Sequence, residues 1–105
     1  MPARAIRNCD GWCDAPTDRN YNRPVRLPYP ASAERLWRED ELYDVVVVLG
    51  HNDCPRTKGR GSAIFMHVAK PGYAPTEGCI ALALPHLLRL LEHVGTRATV
   101  AVANR

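Results

Sequence analysis

Cys79 and His67 are the side chains of this sequence best suited to covalent chemistry, and they stand twelve positions apart. A free thiol with a pKa near ~8.5 is only a few per cent thiolate at neutral pH, so a neighbouring imidazole is needed to make it a working nucleophile. The stretch GSAIFMHVAKPGYAPTEGCIAL, Gly61 to Leu82, has the means to bring the two together. Over Ser62 to Ala69 the side chains alternate as in a strand, with Ala63, Phe65 and His67 on one side and Ile64, Met66 and Val68 on the other. The connection Lys70 to Glu77 contains Pro71, Gly72 and Pro75 and is long enough to fold back and carry Cys79 to the side of His67. Gly78 permits a tight turn, after which the amide of Cys79 can face a developing oxyanion. The catalytic candidates are therefore Cys79 as nucleophile, His67 as base and Gly78 at the turn. In isolation, such a pair also fits a small buried hydrophobe beside a satisfied core histidine.

The surrounding residues favour the catalytic alternative through a resemblance. His67, a loop, then Thr76-Glu77-Gly78-Cys79 and the apolar Ile80 resemble the signature of the L,D-transpeptidase catalytic domain family, the YkuD-like or ErfK/YbiS/YcfS/YnhG group. That signature is a histidine, a loop, Ser/Thr-His-Gly-Cys, a hydrophobic residue, and Asn or Arg. The resemblance is strongest from Tyr43 to Val102. It implies that Cys79 attacks a peptidoglycan stem peptide, that His67 is the general base, and that the Gly78 and Cys79 amides help to form the oxyanion hole. It also implies a periplasmic or cell-envelope setting and covalent capture by carbapenem-type inhibitors. Three departures mark a divergent branch: Glu77 replaces the second histidine, Ala81 replaces Asn or Arg, and the His-to-Cys loop is shortened. Thr76, Tyr73 and Arg60 are the candidate substrate contacts. The thioester chemistry calls for no cofactor and no metal.

At 105 residues the chain fits one globular unit. It is 46% hydrophobic and 24% charged, and its net charge of +3 is too small to argue for a nucleic-acid partner. No cationic start with an apolar core opens the sequence, and no apolar run approaches the ~20 residues that span a bilayer. An export signal is thus missing where the resemblance expects an exported protein, which points to a natural start upstream of Met1 or to an unusual branch.

The elements that would position the site follow in order. Residues 1–42 read as a proline-rich arm packed on the domain, loop-like through Ser32, with Pro2, Pro16, Pro24, Pro28 and Pro30 breaking any period. Trp12, Tyr21 and Tyr29 are its expected anchor points, and Trp12 or Tyr21 could instead wall a substrate cleft. Ser32 as N-cap predicts a short helix near 32–39, ending at the solvated acidic run Glu39-Asp40-Glu41. Residues 43–105 read as the catalytic core. DVVVVLG, Asp44 to Gly50, predicts the central strand, covered on both faces. Arg56, Lys58 and Arg60 then form a basic tip, either solvated or a clamp for a substrate carboxylate. After Cys79 a short strand is expected. Pro85 opens a helix over about 85–94, with Leu84, Leu87, Leu88, Leu91 and Val94 on one side, His86, Arg89, Glu92 and His93 on the other, and Gly95 as its stop. Thr96 to Ala103 predicts a closing strand.

The expected fold is thus mainly β, an L,D-transpeptidase-like sandwich or barrel sheet with this one C-terminal-region helix. The family's N-terminal strands appear replaced by the arm. An unpaired sheet edge would then remain and favour a homodimer.

Two other functions compete. Cys9, Cys13, His51 and Cys54 offer C-x3-C and H-x2-C pairs acceptable for a structural zinc module. A catalytically silent relative that binds cell-wall peptides would also keep the fold.

Overall fold

The structure is a computed structural model, and it describes residues 3–53, 57–76, 78–94 and 98–101. Two three-stranded sheets carry it. The first is built from β1 (Asp10–Cys13), β2 (Pro24–Arg26) and β3 (Ala33–Arg35), with β1 central and both neighbours antiparallel. The second comprises β4 (Val47–Val48), β5 (Phe65–Val68) and β6 (Ile80–Leu82), with β5 central. A single 3-10 turn at Pro71–Tyr73 and one helix, α1 (Leu84–Leu91), complete the described elements. The expected mainly β fold with one C-terminal-region helix is the observed one.

The segment 1–42 is not the strandless arm that its prolines predict. Its described prolines, Pro16, Pro24, Pro28 and Pro30, lie at the start of a short strand or between strands, where a missing N–H costs no interior ladder bond. Pro24, for instance, is the first residue of β2. Nor does a helix form near 32–39: Ala33–Arg35 pairs with β1 instead, Trp12 lying opposite Glu34. Strand pairing satisfies the backbone of β1 on both edges, and all four of its residues are buried.

Buried polar groups tie this first sheet down. Asp10 accepts from the Arg4 guanidinium at 2.9 and 3.1 Å and from the Arg7 amide at 2.7 Å, which holds its carboxyl well below the usual carboxylate range. Asn22 accepts from Trp12 Nε1 at 3.0 Å and donates to the carbonyls of His51 and Asn52 at 3.0 and 2.7 Å. That amide therefore links the first sheet to the loop that follows β4.

In the second sheet, the expected central strand is an edge. Only Val47–Val48 of the Asp44 to Gly50 run pairs, and Val48 is 55% exposed. Unbroken β-branched composition signals strand propensity but cannot say which strand is sandwiched. The centre falls to β5, which pairs antiparallel with β4 and parallel with β6. Parallel neighbours need a crossover of about a dozen residues. Residues 69–79, between β5 and β6, provide it, with the 3-10 turn at Pro71–Tyr73 as the element formed among its described residues.

The sheets meet at a small aromatic core. Trp12 packs edge-on against Phe65 with centroids 5.1 Å apart, and Tyr43 lies 5.9 Å from the same ring. Leu42 and Ala63 complete the buried cluster, and Cys79 packs against it. The arm's expected anchor Trp12 is thus a core residue. Tyr21 is buried, its hydroxyl accepting from the Gly61 amide at 3.2 Å. Tyr29 donates to Asp18.

Helix α1 begins with Pro near its start, as predicted, but ends at Leu91 rather than 94. Of its apolar stripe only Leu87 is buried, while Leu84 and Leu88 face solvent. His86, Arg89, Glu92 and His93 are exposed as expected. The predicted closing strand is not formed over the described residues 98–101, which are exposed, and the rest of that segment lies outside the described residues, as does Gly95.

Candidate active site

His67 sits in the middle of β5 and Cys79 immediately precedes β6, so the parallel pairing brings Cys79 alongside the start of β5, two residues before His67. The register sets His67 opposite Ala81 and Met66 opposite Ile80. Both side chains line one cavity of about 570 Å³ that opens to solvent, together with Thr76 and Lys70 from the crossover. Asp14 and Glu34, from the first sheet's side, lie on the same cavity. The site is thus a cleft walled by both sheets.

The turn before the thiol is built from two features. Gly78 has φ +89°, a conformation that costs a side chain about 1–2 kcal/mol, and a Cβ there would come within 3.3 Å of Ile64 Cδ1. Thr76 donates its hydroxyl to the Cys79 carbonyl at 2.6 Å, closing the turn across Gly78. Glu77 lies outside the described residues.

Cys79 is half-buried. Its thiol donates to the Ala63 carbonyl at 3.3 Å, and its Sγ accepts from the Phe65 amide at 3.5 Å. The Phe65 N–H is a donor suited to a sulfur that acquires negative charge. His67 is buried and bonds through Nδ1 to the Val68 carbonyl at 2.8 Å. A carbonyl can only accept, so Nδ1 carries a proton, and in the neutral ring Nε2 is then the acceptor nitrogen. The thiol hydrogen rests on the Ala63 carbonyl rather than on the ring.

Residues that sequence patterns did not single out complete the wall around His67. The Tyr43 ring lies 5.4 Å from the imidazole, tilted by 55°. Its hydroxyl donates to Glu34, and the Arg38 guanidinium stands 4.9 Å over its ring while pairing with Asp40. Burial, and then the Glu34 carboxylate, raise the Tyr43 pKa and keep it a neutral phenol. No periodicity or motif marks Tyr43 and Glu34, whose pairing depends on two sheets meeting.

Of the candidate substrate contacts, Thr76 lines the cavity and the other two do not. Tyr73 is exposed, and its hydroxyl accepts from the Ala83 amide at 3.3 Å. Arg60 lies in the exposed loop before β5, where its carbonyl meets the His51 ring at 2.8 Å. The zinc alternative loses its geometry in part. Cys13 is fully buried with its thiol turned to Asp18, His51 is engaged by Arg60, and no group of three or more candidate metal ligands occurs among the described residues. Cys54 lies outside those residues.

The domain is mainly β, with a thiol and an imidazole on one solvent-reachable cavity. The family model for the L,D-transpeptidase catalytic domain (YkuD) matches residues 5–102, and the chain belongs to that family. The match begins at residue 5, near the start of the segment read as an arm, and so includes the first sheet. No curated protein and no solved structure matches the chain.

Proposed function

We propose that this protein is a cysteine acyltransferase acting on peptidoglycan stem peptides, with Cys79 as nucleophile and His67 as general base. The observation that carries this is the shared cavity: Cys79 and His67 both line it, and His67 is held as the Nδ1–H tautomer. Nε2 accepts the thiol proton as Sγ attacks the scissile carbonyl carbon. The tetrahedral oxyanion is met by the Cys79 amide at the Gly78 turn. Collapse breaks the C–N bond, and the imidazolium returns its proton to the departing amine, leaving a thioester on Cys79. An acceptor amine attacks the thioester in transpeptidation, and water does so in carboxypeptidation; His67 takes the proton from either and returns it to the sulfur.

The family's substrate supports stem peptides and a cell-envelope location, and carbapenem-type acylation of Cys79 follows from the same thioester chemistry. Self-association through the free side of β4 is part of the proposal, supported by the exposure of Val48 on that edge. No described helix is long and apolar enough to cross a membrane.

The test is incubation with a disaccharide-tetrapeptide, followed by intact-mass measurement and peptide mapping. The expected result is a thioester adduct on the Cys79 peptide, with cross-linked or trimmed product. Product formation by Cys79→Ala at the wild-type rate would overturn the proposal. Tight tetrapeptide binding with no adduct and no product would favour the silent peptide-binding relative.

A further inference from the structure

We infer that Tyr43, held by Glu34, is a positioning residue for His67, so that the first sheet controls the geometry of the base carried by the second. This deepens the acyl-transfer proposal and rests on it for the role of His67.

The imidazole has one described hydrogen bond, to the carbonyl of its own neighbour Val68. Such a local bond leaves the ring free to turn unless a face is packed. Tyr43 supplies that packing at 5.4 Å, and Phe65 limits the tyrosine ring at 5.9 Å with an interplanar angle of 79°. The far end of Tyr43 is fixed by its hydroxyl on Glu34, which belongs to β3 and lies opposite Trp12 of β1. Arg38 over the Tyr43 ring adds a third restraint, itself anchored on Asp40. Tyr43 therefore spans from β3 to β5 at the mouth of the cleft. A histidine whose preferred tautomer in water carries its proton on Nε2 would be kept in the opposite one, with Nε2 free for the thiol. Because the phenol is spent on Glu34, its contribution is orientation rather than proton transfer.

Long-range proton–nitrogen NMR of the neutral imidazole reads the tautomer directly, and iodoacetamide alkylation of Cys79 reads thiol activation with a reagent too small to depend on the cavity walls. Among the described residues, the titratable or charged groups that face the cleft besides His67 are Asp14 after β1, Glu34 of β3, Arg38 and Tyr43 before β4, and Lys70 and Cys79 of the crossover. All variants are therefore compared at one pH. Wild type should show His67 protonated at Nδ1. Tyr43→Leu should move the population towards Nε2–H and slow alkylation about tenfold. Glu34→Gln should do so about threefold, and Tyr43→Phe, which keeps the ring, should lie between wild type and Tyr43→Leu. Thermal melts identify any variant that fails to fold, and Tyr43→Phe and Glu34→Gln then carry the test. Unchanged tautomer and alkylation rate in those two would overturn the inference. If they shift both while Cys79→Ala still transfers acyl groups, the positioning stands and the acyl-transfer proposal falls.

Discussion

Cys79 is bonded to the backbone of the strand that carries His67: its Sγ accepts from the amide of Phe65 at 3.5 Å, two residues before the imidazole. That bond ties the Cys79 thiol to the main chain of β5. Cys79→Ala should abolish acyl transfer by at least about 10³-fold. Its effect on stability should stay near 1 kcal/mol, because the thiol is half-buried. Product assays and urea melts on the same preparation separate the two effects.

Gly78→Ala tests the turn. With φ at +89° and Ile64 Cδ1 3.3 Å from the added methyl, the substitution should cost about 1–2 kcal/mol and displace the Cys79 amide. The expected outcome is a loss of tenfold or more in acylation rate, measured by carbapenem adduct formation, with a small fall in melting temperature.

Asn22 joins the first sheet to the loop after β4, and Asn22→Ala removes its three side-chain bonds. Trp12 Nε1, inside a buried indole, loses its acceptor. The cost should be about 2–4 kcal/mol, since leaving a buried donor unpaired adds to the lost bonds. Alanine also fits the φ of +58° at this position less well than asparagine. Chemical denaturation should show a lower midpoint.

Acid stability should depend on Asp10. Arg4, and then the Arg7 amide, depress its pKa, so its stabilisation is fully present above the unfolded value of ~3.9 and is lost as pH falls from there towards the folded value. Asp10→Asn should therefore lower the melting temperature by roughly 4–8 °C at pH 7 if about 1 kcal/mol is lost. The gap to wild type should narrow below pH ~3.9. A gap that stays constant down to pH 2 would refute the assignment.

The edge of β4 should govern self-association. Sedimentation at rising concentration should show a reversible dimer, and Val48→Lys, which places a charge on the exposed edge, should return the protein to monomer.

The family and several local elements were legible in the sequence. His67 with Thr76-x-Gly78-Cys79 named the family, the alternation around Phe65 and His67 announced β5, and Pro85 with the leucine spacing announced α1. These signals are local, because a turn, a strand period and a helix start each depend on neighbours in the chain. Tertiary structure alone decided the rest. Strands of two to four residues are too short to carry a period, so β1 to β3 stayed hidden among prolines and β4 passed for a central strand. The wall of Tyr43, Glu34 and Arg38 around His67 exists only because two sheets meet across Trp12 and Phe65. Such contacts join residues far apart in the chain, and only the pairing of strands and the burial of that aromatic core make them neighbours.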